Sequence, residues 1–148
     1  MHPLLAHAPI FLLIALAVTD HATVLSGGNL GTRDCMPGLA ALIAVLAGVF
    51  ALIAYVNGRM ASDVAIANGV PPELMDLHRR LATIVTVLAL VVAVLRGWLW
   101  SRRIPLARLW NILIAAFSLG LAVLFVLTGI YGLELVYAHG VNVATAMR

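Results

Sequence analysis

An uninterrupted apolar run from Leu39 to Val56 constrains the fold of this chain more than any other stretch of the sequence. Its 18 residues are about the number that an α-helix needs to cross the hydrocarbon core of a bilayer. Three further segments are comparably apolar, and turns rich in glycine, proline and asparagine separate the four. We therefore predict four transmembrane helices, at residues 4–25, 37–56, 72–102 and 106–139.

The composition supports the membrane class. Hydrophobic residues make up 64% of the chain and charged residues 10%, whereas a soluble domain is about one quarter charged. All nine basic residues are arginines near the ends of the apolar segments, a pattern typical of anchoring at a membrane surface. We predict the lipid bilayer as the environment of the chain and exclude nucleic acid as a partner. The single cysteine, Cys35, excludes an internal disulfide.

The chain is predicted to be one domain. Its first apolar segment has neither a basic n-region nor a small-residue cleavage site, so we interpret it as a retained helix and not as a signal peptide. No repeat, low-complexity tract or linker interrupts the rest. We expect a single integral membrane domain over residues 1–148, all-α, folded as an up-down-up-down bundle of four transmembrane helices.

Small residues recur along the second helix at four-residue spacing, at Ala40, Ala44 and Gly48. Such a stripe lets helix backbones approach closely in lipid. An alanine-rich helix also produces this spacing by chance, so both interpretations stay open.

The arginines indicate an orientation. Four spans place both termini and the second loop on one side of the membrane, and the first and third loops on the other. The densest basic cluster surrounds the third loop, at Arg96, Arg102, Arg103 and Arg108, and basic loops favour the cytoplasm. We therefore predict a multi-pass protein of the bacterial inner membrane with periplasmic termini.

The same topology sorts the five histidines. His2 and His7 begin the first helix, His78 lies in the second turn of the third, and His139 ends the fourth. All four are therefore expected at one face of the membrane. His21 is expected at the opposite face, in an interfacial hydrogen-bonded pair with Asp20.

Helix geometry separates His2 from His7. Residues five apart on a helix differ by about 140° in direction and about 7.5 Å along the axis. The two imidazoles are thus poorly placed to bind one ion together. We expect them to face separate partners, of which His78 and His139 are available.

Four imidazoles at one face of a helical bundle suit haem b, which is commonly held by axial histidines from facing helices. The predicted iron ligands, with their pairing open, are His2, His7, His78 and His139. Ala82 on the third helix and Gly132 on the fourth would leave room for a flat ligand. A c-type attachment is excluded, because the chain has no Cys-x-x-Cys-His motif.

Charged residues near these histidines have two interpretations each. Arg79 and Arg80 could bind haem propionates, since arginine matches carboxylates in a bidentate way. Arg80 could equally pair with Asp76, four residues earlier. Glu134 could pair with either arginine across the bundle or serve a proton path, because an acid near the end of a span usually has a partner or a task.

The opening HPLLAHAPI, the central His78 and the ending GLELVYAHGVNV together resemble a family of small four-helix bacterial membrane proteins of unknown function. The resemblance covers essentially the whole chain. This sequence has Ala8 where the family pattern has an aromatic residue, and Leu133 where it has glycine. Some relatives are joined to Rieske-type iron–sulfur domains, so the resemblance implies a redox context.

We therefore expect a membrane b-type cytochrome-like electron-transfer protein, or a redox-complex subunit, with one or two haems at the histidine face. It would pass electrons between a quinone or partner subunit and a periplasmic redox protein. Two alternatives stay open: a protein that binds zinc, copper or iron through its histidines, and a structural subunit of a membrane complex. The sequence has no nucleophile–base pair, phosphate loop or paired carboxylates. We do not expect catalysis by this chain alone, although it could be the electron-transfer subunit of an oxidoreductase.

Overall fold

A computed structural model describes residues 2–137, with side chains from His7 onward. It contains four helices, α1 (His2–Leu25), α2 (Cys35–Ala67), α3 (Pro72–Arg102) and α4 (Arg108–Tyr137). All four are long and apolar enough to cross a membrane. The described part of the chain has no strand, so the predicted all-α class with four spans is confirmed.

The helices surround a common axis in chain order. α1 packs on α2, α2 on α3, and α4 closes the ring against α1, while α3 and α4 are the least closely packed neighbours. The diagonal pair, α1 and α3, has no close backbone contact within residues 2–137. Helices that follow one another in the chain are antiparallel because the connecting loops are short, and α1 and α4 are antiparallel because three reversals of direction separate them. For example, Ser62 near the end of α2 donates to the sulfur of Met75 at the start of α3 (2.9 Å).

The end of α2 differs from the prediction. Asn57-Gly58 was expected to close the helix, yet α2 continues for ten residues beyond Asn57, to Ala67. The Asn57 side chain donates to the carbonyl of Ile53, four residues earlier (2.8 Å), so it stays within the helix. A glycine inside a helix costs only about 1 kcal/mol, which packing of the following turns offsets. The helix ends at Asn68, and Gly69 follows with φ +92°.

The core between α2 and its neighbours is built from very small side chains. The predicted stripe of Ala40, Ala44 and Gly48 is buried along its whole length. A Cβ atom added at Gly48 would lie 2.7 Å from the Cβ of Ala93 and 3.4 Å from the carbonyl oxygen of Ala89, both on α3. The stripe therefore does bring two helix backbones close together.

Two asparagines tie the first and third loops together. The Asn29 side chain donates to the carbonyl of Leu106 (2.7 Å) and accepts from its backbone N–H (3.0 Å). The Asn111 side chain accepts from the N–H of Leu30 (2.7 Å). A side chain at Gly31 would collide with the carbonyl oxygen of Ile104, so only glycine fits there. These contacts close the end of the bundle that holds the first and third loops (residues 26–34 and 103–107), which we call the loop end.

The opposite end of the bundle is uneven. At 1.5 Å per residue, α2 is about 50 Å long, whereas α1 is about 36 Å long. The hydrocarbon core of a bilayer is about 30 Å thick. The last turns of α2 and the first turns of α3 therefore extend beyond the membrane core as a helical hairpin, close to the start of α1.

Candidate functional site at the histidine end

His78 lies on the side of α3 that faces α4. A Cβ atom added at Gly132 of α4 would lie 3.0 Å from Cε1 and 3.5 Å from Nδ1 of this imidazole. The ring is half-buried between the two helices, and it occupies space that any larger residue at position 132 would take. The sequence predicted that Gly132 would leave room for a flat cofactor beside His139, which follows it on the same helix. The structure instead places this glycine against His78.

A pocket of about 230 Å³ opens beside the His78 ring, between α3 and α4. It lies at the least closely packed interface of the bundle. Its lining combines one imidazole, one phenol and one carboxylate with three leucine side chains. The lining residues are Leu74, Leu77, His78, Tyr131, Glu134 and Leu135.

His7 lies at about the same depth in the bundle as His78. The side chain of Ile10 approaches Gly129, where an added Cβ would lie 3.2 Å from Cδ1 of the isoleucine. His7 lies three residues before Ile10 on α1, and Gly132 lies three residues after Gly129 on α4. Because the two helices are antiparallel, both steps lead the same distance toward the same end of the bundle. Gly132 in turn contacts His78. The exposed imidazole of His7 therefore stands on the neighbouring helix at the level of the pocket.

The other two predicted histidines are His2 and His139. His2 is the first residue of α1, and its backbone is helical. Both His2 and His7 lie on the one helix α1, so the predicted spacing of five helical residues is kept. His139 lies outside the described residues.

The arginines beside His78 both have acidic partners. Arg79 donates to Asp63 of α2 (3.3 Å), and this bond joins the two arms of the projecting hairpin. Arg80 pairs with Asp76 at 4.0 Å, with both side chains exposed, which is the second of its two predicted arrangements. Exposed pairs of this kind contribute at most about 1 kcal/mol.

Within residues 2–137, Glu134 forms no ion pair with either arginine. Its carboxylate lines the pocket beside His78. No three His, Cys, Asp or Glu side chains of the described part lie close enough together to hold a metal ion.

The most deeply buried charges lie at the other end of the bundle, and sequence reasoning missed them. Nη2 of Arg96 donates to Oδ1 of Asp20 at 2.9 Å, with the side chains 1% and 0% exposed. The predicted pair of Asp20 with His21 is wrong, since Nδ1 of His21 bonds to the carbonyl of Ala17 (2.8 Å). Neighbours on a helix point about 100° apart, so Asp20 faces the bundle axis when His21 faces outward.

A periodic signal for this pair was present in the sequence. On α1, the buried Leu13 and Leu16 precede Asp20 by seven and four residues. On α3, Ala89 and Val92 precede Arg96 by the same two intervals and are also buried. Positions four and seven apart share one face of a helix. Both charges thus continue the apolar stripe that faces the axis.

These features define a class: an integral membrane bundle of four spans, closed at its loop end around a buried ion pair and open at its histidine end around a pocket. Residues 1–145 match the family described as "Predicted membrane protein (DUF2231)". The chain belongs to this family of unknown function, which confirms the resemblance seen in the sequence. No curated protein and no solved structure matches the chain.

Proposed function

We propose that this protein is a membrane b-type cytochrome-like electron-transfer protein, or the corresponding subunit of a redox complex, with one or two haems at its histidine end. The observation that carries the proposal is the placement of His78. Its imidazole is half-buried at the loosest helix interface, in space that Gly132 leaves free. A second imidazole, that of His7, stands at the same level on α1, which is diagonal to α3 and packs against α4.

Residues around the pocket would provide the ligands and surroundings that haem b needs. His78 would hold the haem iron together with a second histidine, which would be His2, His7 or His139. Haem iron with two imidazole ligands has no open coordination position and exchanges single electrons. Leu74, Leu77 and the other apolar lining residues exclude water from the ring. Arg79 and Arg80 stand next to His78, where they can exchange their acidic partners for propionates.

Binding of haem requires α3 and α4 to separate. The pocket of about 230 Å³ is smaller than the 300–1,000 Å³ or so that is usual for sites of drug-sized ligands. The interface that must open, between α3 and α4, is the least closely packed of the four interfaces between neighbouring helices. The site also lies near the membrane surface, because His78 is about 36 Å from the loop end of α3.

The size of the pocket favours a second candidate function, the binding of a single metal ion. His78 and Glu134 line the pocket together, and nitrogen with carboxylate oxygen suits zinc or iron. A third ligand would come from a histidine whose side chain is outside the described part, His2 or His139. This candidate and the haem proposal share His78 and differ in the cofactor.

The first experiment is purification from haem-replete cells, followed by absorption spectroscopy, haem extraction and metal analysis. We expect a red protein with a Soret band and a sharp α-band on reduction. His78→Ala should remove at least one haem per chain. His21→Ala, at the other end of the bundle, is the matched control and should keep the full haem content.

Each alternative result has a definite meaning. A colourless, haem-free wild-type preparation would contradict the cytochrome proposal. Stoichiometric metal that His78→Ala releases would then support the second candidate. A red His78→Ala variant with unchanged haem content would reject His78 as an axial ligand.

The space beside His78 gives an independent prediction. Gly132→Leu fills that space, and we expect it to remove haem while the bundle stays helical by circular dichroism. Gly120→Leu on the same helix is the control, because nothing lies within 4 Å of a Cβ added there. Equal haem content in the two variants would show that the cleft at Gly132 is not part of the site.

A further inference from the structure

We propose that Asp20, Arg96 and Ser118 form a buried binding site for water on the axis of the bundle, near its loop end. The site is separate from the histidine pocket and does not depend on the haem proposal. It joins three helices, because Asp20 lies on α1, Arg96 on α3 and Ser118 on α4.

The ion pair leaves several of its polar atoms without a partner. Only Nη2 of Arg96 and Oδ1 of Asp20 bond to each other. Oδ2 of Asp20, together with Nε and Nη1 of Arg96, is fully buried and has no hydrogen-bond partner within the described structure. Ser118 lies within hydrogen-bonding reach of Asp20. Its hydroxyl has one proton, however, which it can donate to the carbonyl of Ala115 (2.9 Å).

The diagonal position explains why the pair is incomplete. α1 and α3 have no close backbone contact, so the arginine must extend across the axis to reach the aspartate. Reaching across in this way gives one bond in place of a bidentate pair. A buried donor or acceptor that lacks a partner costs about 1–3 kcal/mol, and charged groups cost more. Natural structures meet such a demand with internal water.

Charge and hydrogen-bonding capacity identify the ligand. The carboxylate and guanidinium cancel in charge, so an added ion would carry an uncompensated charge into an apolar interior. The ligand must therefore be neutral. It must also donate to Oδ2 of Asp20 and accept from Nε or Nη1 of Arg96. Water satisfies both demands, because it is neutral and both donates and accepts hydrogen bonds.

A second buried polar residue at the same end provides an internal control. Asn111 is 4% exposed, and its side chain is satisfied by the chain itself. It accepts from the N–H of Leu30 and donates to the carbonyls of Leu106 and Ala107. Burial of a polar group in this bundle thus does not by itself call for water. The demand is specific to the ion pair.

The decisive test is a crystal structure of the full chain in a lipidic mesophase, at a resolution that shows ordered water. We expect density for water within hydrogen-bonding distance of both Oδ2 of Asp20 and a nitrogen of Arg96. No such density is expected at the side chain of Asn111. A bidentate pair with every polar hydrogen satisfied by protein atoms would overturn the proposal.

Hydroxyl-radical footprinting in detergent tests the same site without crystals, because X-rays generate radicals from bound water. Leu16 is fully buried and lies one turn before Asp20 on the same face. We expect it to be labelled several-fold faster in the wild type than in the double variant Asp20→Leu/Arg96→Leu. Equal rates in these two folded proteins would count against bound water at the pair.

Discussion

At the residue scale, Arg96 has the least expected environment in the molecule. Arginine in an apolar segment usually extends to the membrane surface, and its neighbours Trp98, Trp100 and Arg102 favoured that interpretation. These three residues are exposed, whereas Arg96 turns inward to Asp20. Removing one member of a buried pair leaves an uncompensated charge, so the two residues depend on each other.

This dependence can be measured with a double-mutant cycle. We expect Asp20→Leu and Arg96→Leu, made singly, each to lower the free energy of unfolding by about 3–5 kcal/mol. The double variant should recover most of that loss, since two leucines replace the pair without a buried charge. Unfolding in detergent, followed by circular dichroism, gives the three values.

The exposed pair of Asp76 and Arg80 serves as the control for this cycle. Asp76→Leu should change the free energy of unfolding by less than about 1 kcal/mol. If the single variants at Asp20 and Arg96 were as mild as this one, the buried pair would have no stabilising role.

At the element scale, close approach of α2 and α3 depends on the absence of a side chain at Gly48. A Cβ atom added there would meet the Cβ atom of Ala93, which is bonded directly to the backbone and cannot rotate away. Glycine in a helix weakens it relative to alanine. Its presence here is explained by the contact, since the two helices can approach only if this position stays empty.

Substitutions at a tightly packed glycine and at an open one should have opposite effects on stability. Gly48→Val should force α2 and α3 apart and destabilise the protein by about 1–3 kcal/mol. Gly120→Ala on α4 meets nothing within 4 Å and should be neutral or stabilise by about 0.5–1 kcal/mol through helix propensity. Thermal unfolding of both variants in one detergent gives the comparison. A Gly48→Val protein as stable as Gly120→Ala would show that the helices repack freely.

The elements differ in how far the sequence could define them. Number, type and order of the helices follow from the lengths of the apolar runs, because a span in lipid must bond its own backbone. The end of α2 could not be predicted from the sequence. The pair Asn57-Gly58 is typical of a helix end, yet packing continues the helix to Ala67. For the site, topology placed His7 and His78 at one end. The contact of His78 with Gly132 depends on helix rotation, which the sequence leaves open.

At the scale of the whole molecule, the two ends of the bundle are unlike. The loop end is tied by Asn29 and Asn111, and Arg33 lies over the Trp100 ring at 4.8 Å while donating to the carbonyls of Trp100 and Ser101. The histidine end has exposed charges and a pocket between loosely packed helices. Under the proposed function, a cofactor would enter from the histidine end, so the orientation of the chain would decide which side of the membrane that is.

Cys35 offers a direct test of the proposed orientation, with the loop end in the cytoplasm. It is exposed at the start of α2 and is the only cysteine of the chain. A membrane-impermeant thiol reagent should leave it unlabelled in intact spheroplasts and label it in inverted vesicles. Asn68→Cys in a Cys35→Ser background, at the exposed turn after α2, should show the reverse pattern. Labelling of Cys35 in spheroplasts would reverse the orientation.

The bonds between Asn29 and Leu106 also set an order of events during synthesis. The two residues are 77 positions apart, so the ribosome has made α1, α2 and α3 before Leu106 emerges. Until then, the side chain of Asn29 lacks its final partner and the first loop cannot take its final form. The loop end therefore closes late, when α4 enters the membrane. A chain that stops before Leu106 would therefore lack the bonds that close the loop end.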